Sequence, residues 1–307
     1  MVCQNQPQRG TIVMKIFNLF ILIILSLNLF SISAPAQTKR KTIKKQKTRT
    51  SQATARKIPA EPITFKVLSE GIYSKVEEPF IFVAHNAETY AQLQTLVENL
   101  PAISAIDFNK TIILGAFAGT KNTGGWSVDV KKLADKVAVD VLAPPKDAMV
   151  TQALTTPYKI VFLPLAERKM IPLEFSDAWA SKMKTYRVSS GIFEYSGGIA
   201  GIRKEFDIEG EISVLSYNDF VTLAFDLKGK AAEKARSLSE ITSGTLKNGN
   251  IYIDRVKAGN FVDNPHPPLK LGGTIDETKL SLAFESLPTV VADGYTGRGK
   301  LEALKIK

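Results

Sequence analysis

The sequence predicts an α+β protein: a small domain with one helix on a mostly antiparallel sheet, followed by a β-rich antiparallel sandwich or barrel-like domain. Three observations predict it. Between residues 80 and 163, short apolar or alternating runs surround a single stretch of helical periodicity. From Tyr186 onward, alternating runs recur between glycine and Asn-Gly signals, with only one short helical pattern among them. The 307 residues are 44% hydrophobic and 23% charged, which suits about two domains and excludes both a disordered chain and a polytopic membrane protein.

The N-terminal elements concern targeting. Ile16 to Ile32 is an apolar run, preceded by Lys15 and followed by Ala34-Pro35-Ala36. A basic residue, an apolar run and a small-x-small site predict a signal peptide over residues 1–36, and hence a secreted, periplasmic or cell-envelope protein. The other reading is an uncleaved anchor, although the run is shorter than the roughly 20 apolar residues a spanning helix needs. Met14 is an alternative start to Met1. Cys3, the one cysteine, precedes the run, so the mature chain has none; a disulfide framework is excluded. With two histidines, a Cys/His zinc site is excluded as well.

Residues 37–61 read as a basic disordered linker, a solvated spacer with weak electrostatic contact to an anionic membrane or polymer as its other use. The formal net charge of +10 belongs here, because residues 1–58 hold eleven of the 40 basic residues and none of the 30 acids. The remaining body is close to neutral. That location, and the lack of aromatics among the charges, argue against nucleic acid as a partner.

The first domain is expected at 62–173. Phe80–Ala84 is a buried strand, and Asn86 caps a helix whose apolar face is Tyr90, Leu93, Leu96, Val97 and Leu100, stopped by Pro101. Thr111–Ala118 is a second strand. Thr123-Gly124-Gly125 is a turn, Trp126–Val130 and Lys136–Leu142 alternate, and Tyr158–Leu163 is bounded by prolines. Asp107-Phe108 before the Ile112–Leu114 strand, Thr123-Gly-Gly-Trp-Ser-Val128, and Val150 to Tyr158 with Val161-Phe-Leu-Pro164 resemble, in order and spacing, the PrcB C-terminal domain family. Trp126 stands where Tyr is usual there. The family's namesake is a subunit of a bacterial surface protease complex. The resemblance therefore implies a non-catalytic, exported interaction domain, without a ligand or a set of active residues.

The second domain is expected at 184–307. Tyr186–Tyr195, Phe206–Ile208 and Phe220–Leu227 read as strands, punctuated by Gly197-Gly198, Gly210 and Gly229. Ala231–Ile241 reads as one short helix. Leu246–Ile253 reads as a hairpin turning at Asn248-Gly249, a type I′ signal. Leu269–Gly273, Leu280–Phe284 and Gly299–Ile306 complete the set, with Gly272-Gly273 and Asp293-Gly294 as turns. Residues 195–203 carry a short likeness to emfourin-type protease inhibitors.

Catalytic signals are sparse. His85 ends a strand and His266 lies in a Pro-rich loop of the other domain, without a nucleophile elbow near either. Glu77-Glu78 and Asp276-Glu277 read as solvated turn acids, and Thr120–Gly125 lacks the Lys-Ser/Thr of a phosphate loop. The expected function is thus a non-catalytic protein–protein module with no cofactor or metal. Its partner is another envelope or secreted protein, a protease being the class the resemblance names. Trp126 and Tyr158 are the candidate binding aromatics, each with core packing as its plain alternative. The alternatives are a barrel or sandwich that binds lipid or saccharide, and a protease inhibitor. A hydrolase has no motif behind it.

Overall fold

The computed structural model describes residues 63–133, 136–164, 173–197, 202–231, 234–256, 269–286 and 296–307. The chain divides into two units, Met1–Lys57 and Ile58–Lys307, and every described residue lies in the second. The expected signal peptide, the basic linker, His266 and Asp293-Gly294 lie outside the described residues.

Among the described residues, eight strands and two α-helices precede the long strands: β1 (Ile63–Thr64), β2 (Val67–Gly71), β3 (Pro79–Ala84), α1 (Ala87–Leu96), β4 (Thr111–Ala118), β5 (Ser127–Leu133), β6 (Lys136–Leu142), β7 (Tyr158–Pro164), β8 (Leu173–Phe175) and α2 (Asp177–Ala180). They form two four-stranded sheets rather than the expected one, in the orders β2-β7-β4-β3 and β1-β5-β6-β8. The split arises within one stretch of chain, since β1 pairs with β5 while β2, two residues on, pairs with β7. Among the described strand pairs, only β6–β8 is parallel. Asn86 caps α1 as its sequence predicts, its Oδ1 accepting from Thr89 N at 2.8 Å. The helix buries Tyr90, Leu93 and Leu96. It lies close over the sheet because position 115 is glycine: a Cβ there would stand 3.0 Å from Leu93 Cδ1.

The remaining strands, β9 (Lys184–Gly197), β10 (Ile202–Tyr217), β11 (Phe220–Ala231), β12 (Lys234–Lys247), β13 (Asn250–Val256), β14 (Leu269–Ile275), β15 (Lys279–Ser286) and β16 (Thr296–Lys305), form a closed antiparallel barrel with β16 returning to β9. Of the two architectures expected, the barrel is the one adopted. Three local expectations are corrected. Of Ala231–Ile241, expected as a helix, Ala231 ends β11 and Lys234–Ile241 belongs to β12, because β12 pairs with β11 from Phe220↔Thr245 to Ala231↔Lys234, and that ladder outweighs weak helix propensity. Gly210 does not end a strand. It sits at a register shift inside β10 with φ +134°, where a Cβ would strike the Asp226 carbonyl. Gly229 and Gly272-Gly273 likewise lie within β11 and β14. Asn248 and Gly249 both have positive φ, 50° and 76°, as a type I′ turn requires.

The barrel is apolar inside, with Leu223, Phe225, Ile253, Leu271 and Leu282 buried, and charged outside, with Glu205, Asp207, Glu209, Lys228 and Lys230 exposed. This is the reverse of the pattern of a lipid-spanning barrel. No helix among the described residues is long and apolar enough to cross a membrane. Phe225 and Phe284 sit on diametrically opposite strands, yet their rings lie 6.3 Å apart, so side chains fill the lumen at that level.

The barrel closes one edge of the first sheet. Val83 N donates to Ser243 Oγ at 2.8 Å, and Thr222 Oγ1 donates to Ile81 O at 2.5 Å. The two hydroxyls are 2.7 Å apart, and since that of Thr222 is committed to Ile81, that of Ser243 donates to it. Around this relay Leu215 and Ile241 of the barrel join the core of the sheets, and Phe220 meets Phe82 edge-on at 5.6 Å. Trp179 of α2, wholly buried, donates Nε1 to Phe80 O and Phe117 O at 3.3 and 3.1 Å. Replacing Thr222 by Val should leave Ile81 O unpartnered at about 1–3 kcal/mol. Trp179→Ala should cost about 3–5 kcal/mol. Urea unfolding followed by circular dichroism checks both, and an unchanged midpoint in either variant would contradict the role assigned to its residue.

Candidate interaction surface

Three loops meet at one end of the two sheets: 72–78 after β2, 119–126 after β4 and 143–157 after β6. Backbone hydrogen bonds knit them. Lys121 and Thr155 exchange N–H···O bonds of 2.7 and 2.9 Å, Gly124 N donates to Thr151 O at 2.9 Å, and Thr156 N donates to Ile72 O at 2.8 Å. Side chains complete the ties. The Thr155 hydroxyl donates to Thr123 O at 2.9 Å, and Ser74 N donates to Thr156 Oγ1 at 2.6 Å. Thr123-Gly124-Gly125 is the predicted turn. Gly125 has φ +80°, and a Cβ on it would come within 2.9 Å of both Pro144 Cβ and Val150 Cγ1. A Cβ on Gly124 would collide with the Thr151 hydroxyl.

These ordered loops carry apolar side chains into solvent. Met149 is fully exposed, Leu154 66% and Tyr73 64%, with Ile72 and Leu142 beside them in the chain's path. Five of the ten exposed large hydrophobic residues among those described thus lie at this end. Trp126 is half-buried at its base, with Nε1 donating to Thr123 Oγ1 at 3.2 Å and the Lys121 ammonium 5.3 Å from its ring centre. Burial holds the Lys121 amine below the usual lysine range, and the ring face offsets part of that cost.

Tyr158, the second candidate aromatic, lies beneath this surface. It is 9% exposed, stacks on Phe117 and places its hydroxyl 3.1 Å from Ser69 Oγ. Gly71 makes room for it, since a Cβ there would be 2.9 Å from its ring. The structure therefore brings Trp126, but not Tyr158, to the surface with Tyr73, Leu154 and Met149. Those three went unread in the sequence. Their only signal is large apolar residues inside largely polar, Pro- and Thr-containing loops.

The remaining candidates do not converge. His85 ends β3, at the end of the sheet opposite these loops. Glu78 pairs with Lys182 at 3.1 Å, and Glu277 with Lys184 and Lys305 at 2.9 and 3.4 Å. Asp276 accepts from Thr278 N at 2.7 Å, from the Thr278 hydroxyl at 2.9 Å and from Lys279 N at 2.7 Å, which holds its carboxyl below the usual range. No group of three or more His, Cys, Asp or Glu suited to a metal ion occurs among the described residues.

Residues 112–164, from β4 through β7, match the family model described as PrcB C-terminal, the family that the order of motifs resembles. The matched stretch includes the 119–126 and 143–157 loops. No curated protein matches the chain. The emfourin-like stretch falls at the end of β9 and the start of β10, with 198–201 outside the described residues.

Two outcomes follow from this geometry. Gly125→Val should lower stability by about 1–3 kcal/mol through its positive φ, and Tyr158→Phe by about 0.5–1.5 kcal/mol through the lost hydroxyl contact. Urea titration reads both, and wild-type stability in Gly125→Val would contradict the structural role of that turn. The lowered carboxyl of Asp276 stabilises the β14–β15 turn above the ordinary carboxylate range, and this is lost as pH falls through the folded-state value. Amide exchange at Thr278 and Lys279 should therefore quicken, beyond its intrinsic pH dependence, below that range and not at neutral pH.

Proposed function

We propose that the protein is an exported, non-catalytic interaction module that docks on another envelope or secreted protein through the loop end formed by 72–78, 119–126 and 143–157. The observation that carries this reading is that apolar side chains stand in water on loops that are mutually hydrogen-bonded, not slack. Leaving such side chains in water forgoes about 25 cal/mol per Å² of burial, which contact with a partner recovers. Order already present in the loops keeps the entropic cost of docking low. Tyr73 and Trp126 belong to the residue types that dominate interface energetics. The match of residues 112–164 to the PrcB C-terminal family supports a protease-associated partner.

The competing reading is a barrel that takes a lipid or saccharide. It is disfavoured at the level of Phe225 and Phe284, whose rings meet across the lumen.

The test is capture of partners from envelope extract by the mature chain, compared with Trp126→Ala and with Tyr73→Ala combined with Leu154→Ala. The double variant should keep its circular dichroism spectrum and lose at least about tenfold in capture. Full retention by both folded variants would overturn the docking site. Hydrolysis of a peptide, ester or glycoside substrate that dies on changing a single acid or histidine would overturn the non-catalytic reading.

A further inference from the structure

The β2-β7-β4-β3 sheet has two edges, and they are treated differently. Strand β3, Pro-Phe-Ile-Phe-Val-Ala, is buried except at its first residue, and the Thr222–Ser243 relay occupies its outward carbonyl and amide. Strand β2 ends the sheet on the other side. Its partner is β7 alone, and Val67 and Glu70 are exposed. Among the described residues, no strand or side chain takes up the hydrogen-bonding groups on its outer flank.

An unpaired strand edge is complementary to one kind of object, an extended backbone with the same spacing of donors and acceptors. Two neighbours narrow the choice. Glu70 shares Lys159 with Asp129: Nζ lies 3.2 Å from Glu70 and 3.9 Å from Asp129, and the Glu70 side chain is the far more exposed of the two. A basic residue in an added strand would find that carboxylate. Beyond Gly71 the chain runs directly into Ile72 and Tyr73, so an added strand leads onto the apolar loop end.

We propose that β2 accepts an extended segment of the partner as a fifth strand, with a Lys or Arg of that segment opposite Glu70 and a bulky apolar residue beyond it against Tyr73. This rests on the loop end being the docking end, and it adds the form in which the partner binds. The charge and the apolar contact select the segment, while the backbone ladder supplies affinity that does not depend on sequence.

The probe is an acetylated and amidated heptapeptide of alternating Thr and Val with a central Lys, added at millimolar concentration to the mature chain. Two control peptides replace the Lys by Glu, or N-methylate alternate residues so that one flank cannot donate. Hydrogen exchange should slow at residues 67–71 and stay unchanged at 79–84. The N-methylated peptide should give no protection. The Glu peptide should bind about fivefold more weakly, and Glu70→Lys should reverse that preference. Absence of protection at 67–71, protection indifferent to N-methylation, or protection at 79–84 would each overturn the proposal. If the Tyr73→Ala and Leu154→Ala variant loses capture while 67–71 gain no protection from peptide, the docking end stands and strand addition fails. If 67–71 are protected but that variant captures normally, strand addition stands and the loop end is not the site.

Discussion

The relay Val83 N–H, Ser243 hydroxyl, Thr222 hydroxyl, Ile81 carbonyl is the contact on which the arrangement of the body depends. When a parallel strand is added to an edge, the carbonyl of one edge residue and the amide of the residue two further on bracket a single residue of the added strand. Here the bracket is filled by two hydroxyls on neighbouring barrel strands, one accepting and one donating, as that residue's own carbonyl and amide would. Such a substitute is needed because β3 is an apolar run at a sheet edge. Exposed, it would template pairing with other chains, and buried without partners each polar group would cost about 1–3 kcal/mol. The directional order of the relay also lets each hydroxyl polarise the next.

Once the barrel seals that edge, it reads as a scaffold more than as a container. Its core is its own side chains, with opposite walls meeting through Phe225 and Phe284, while its outer face near Thr222 and Ile241 completes the core of the sheets. Tyr217 extends the contact to the loops, donating its hydroxyl to Lys75 O at 2.7 Å and receiving Glu77 N at 3.2 Å. The 72–78 loop is therefore held from two sides, by the barrel and by Thr156. Tyr73 is thus presented by a loop whose neighbouring residues Ser74, Lys75 and Glu77 are tied to residues far along the chain.

Elements whose signal is local were legible in the residues. The buried strands at 80–84 and 111–118, the Asn86 cap, the Thr123–Gly125 turn and the Asn248-Gly249 turn each depend on neighbours a few positions apart. Elements that depend on a distant partner were not. Gly210 reads as a break, but a register shift against β9 absorbs it, and the strand continues to Tyr217. The expected helix at Ala231–Ile241 rests on weak propensity, and for Lys234–Ile241 the facing strand decides against it.

What the sequence determined by itself is the mostly antiparallel β character, the β-rich second half, the PrcB-like order of motifs from Asp107 to Pro164, of which 112–164 match the family model, and the residue chemistry available at each turn. What the tertiary structure decided is exposure and closure. Trp126 and Trp179 are the same residue type, yet one borders solvent and the other is fully buried against two carbonyls. Tyr158 and Tyr73 divide the same way. The reason is physical: an aromatic ring is driven out of water wherever it lies, and whether something covers it depends on elements far along the chain. Which sheet edge stays open follows equally from a contact between residues some 140 to 160 positions apart.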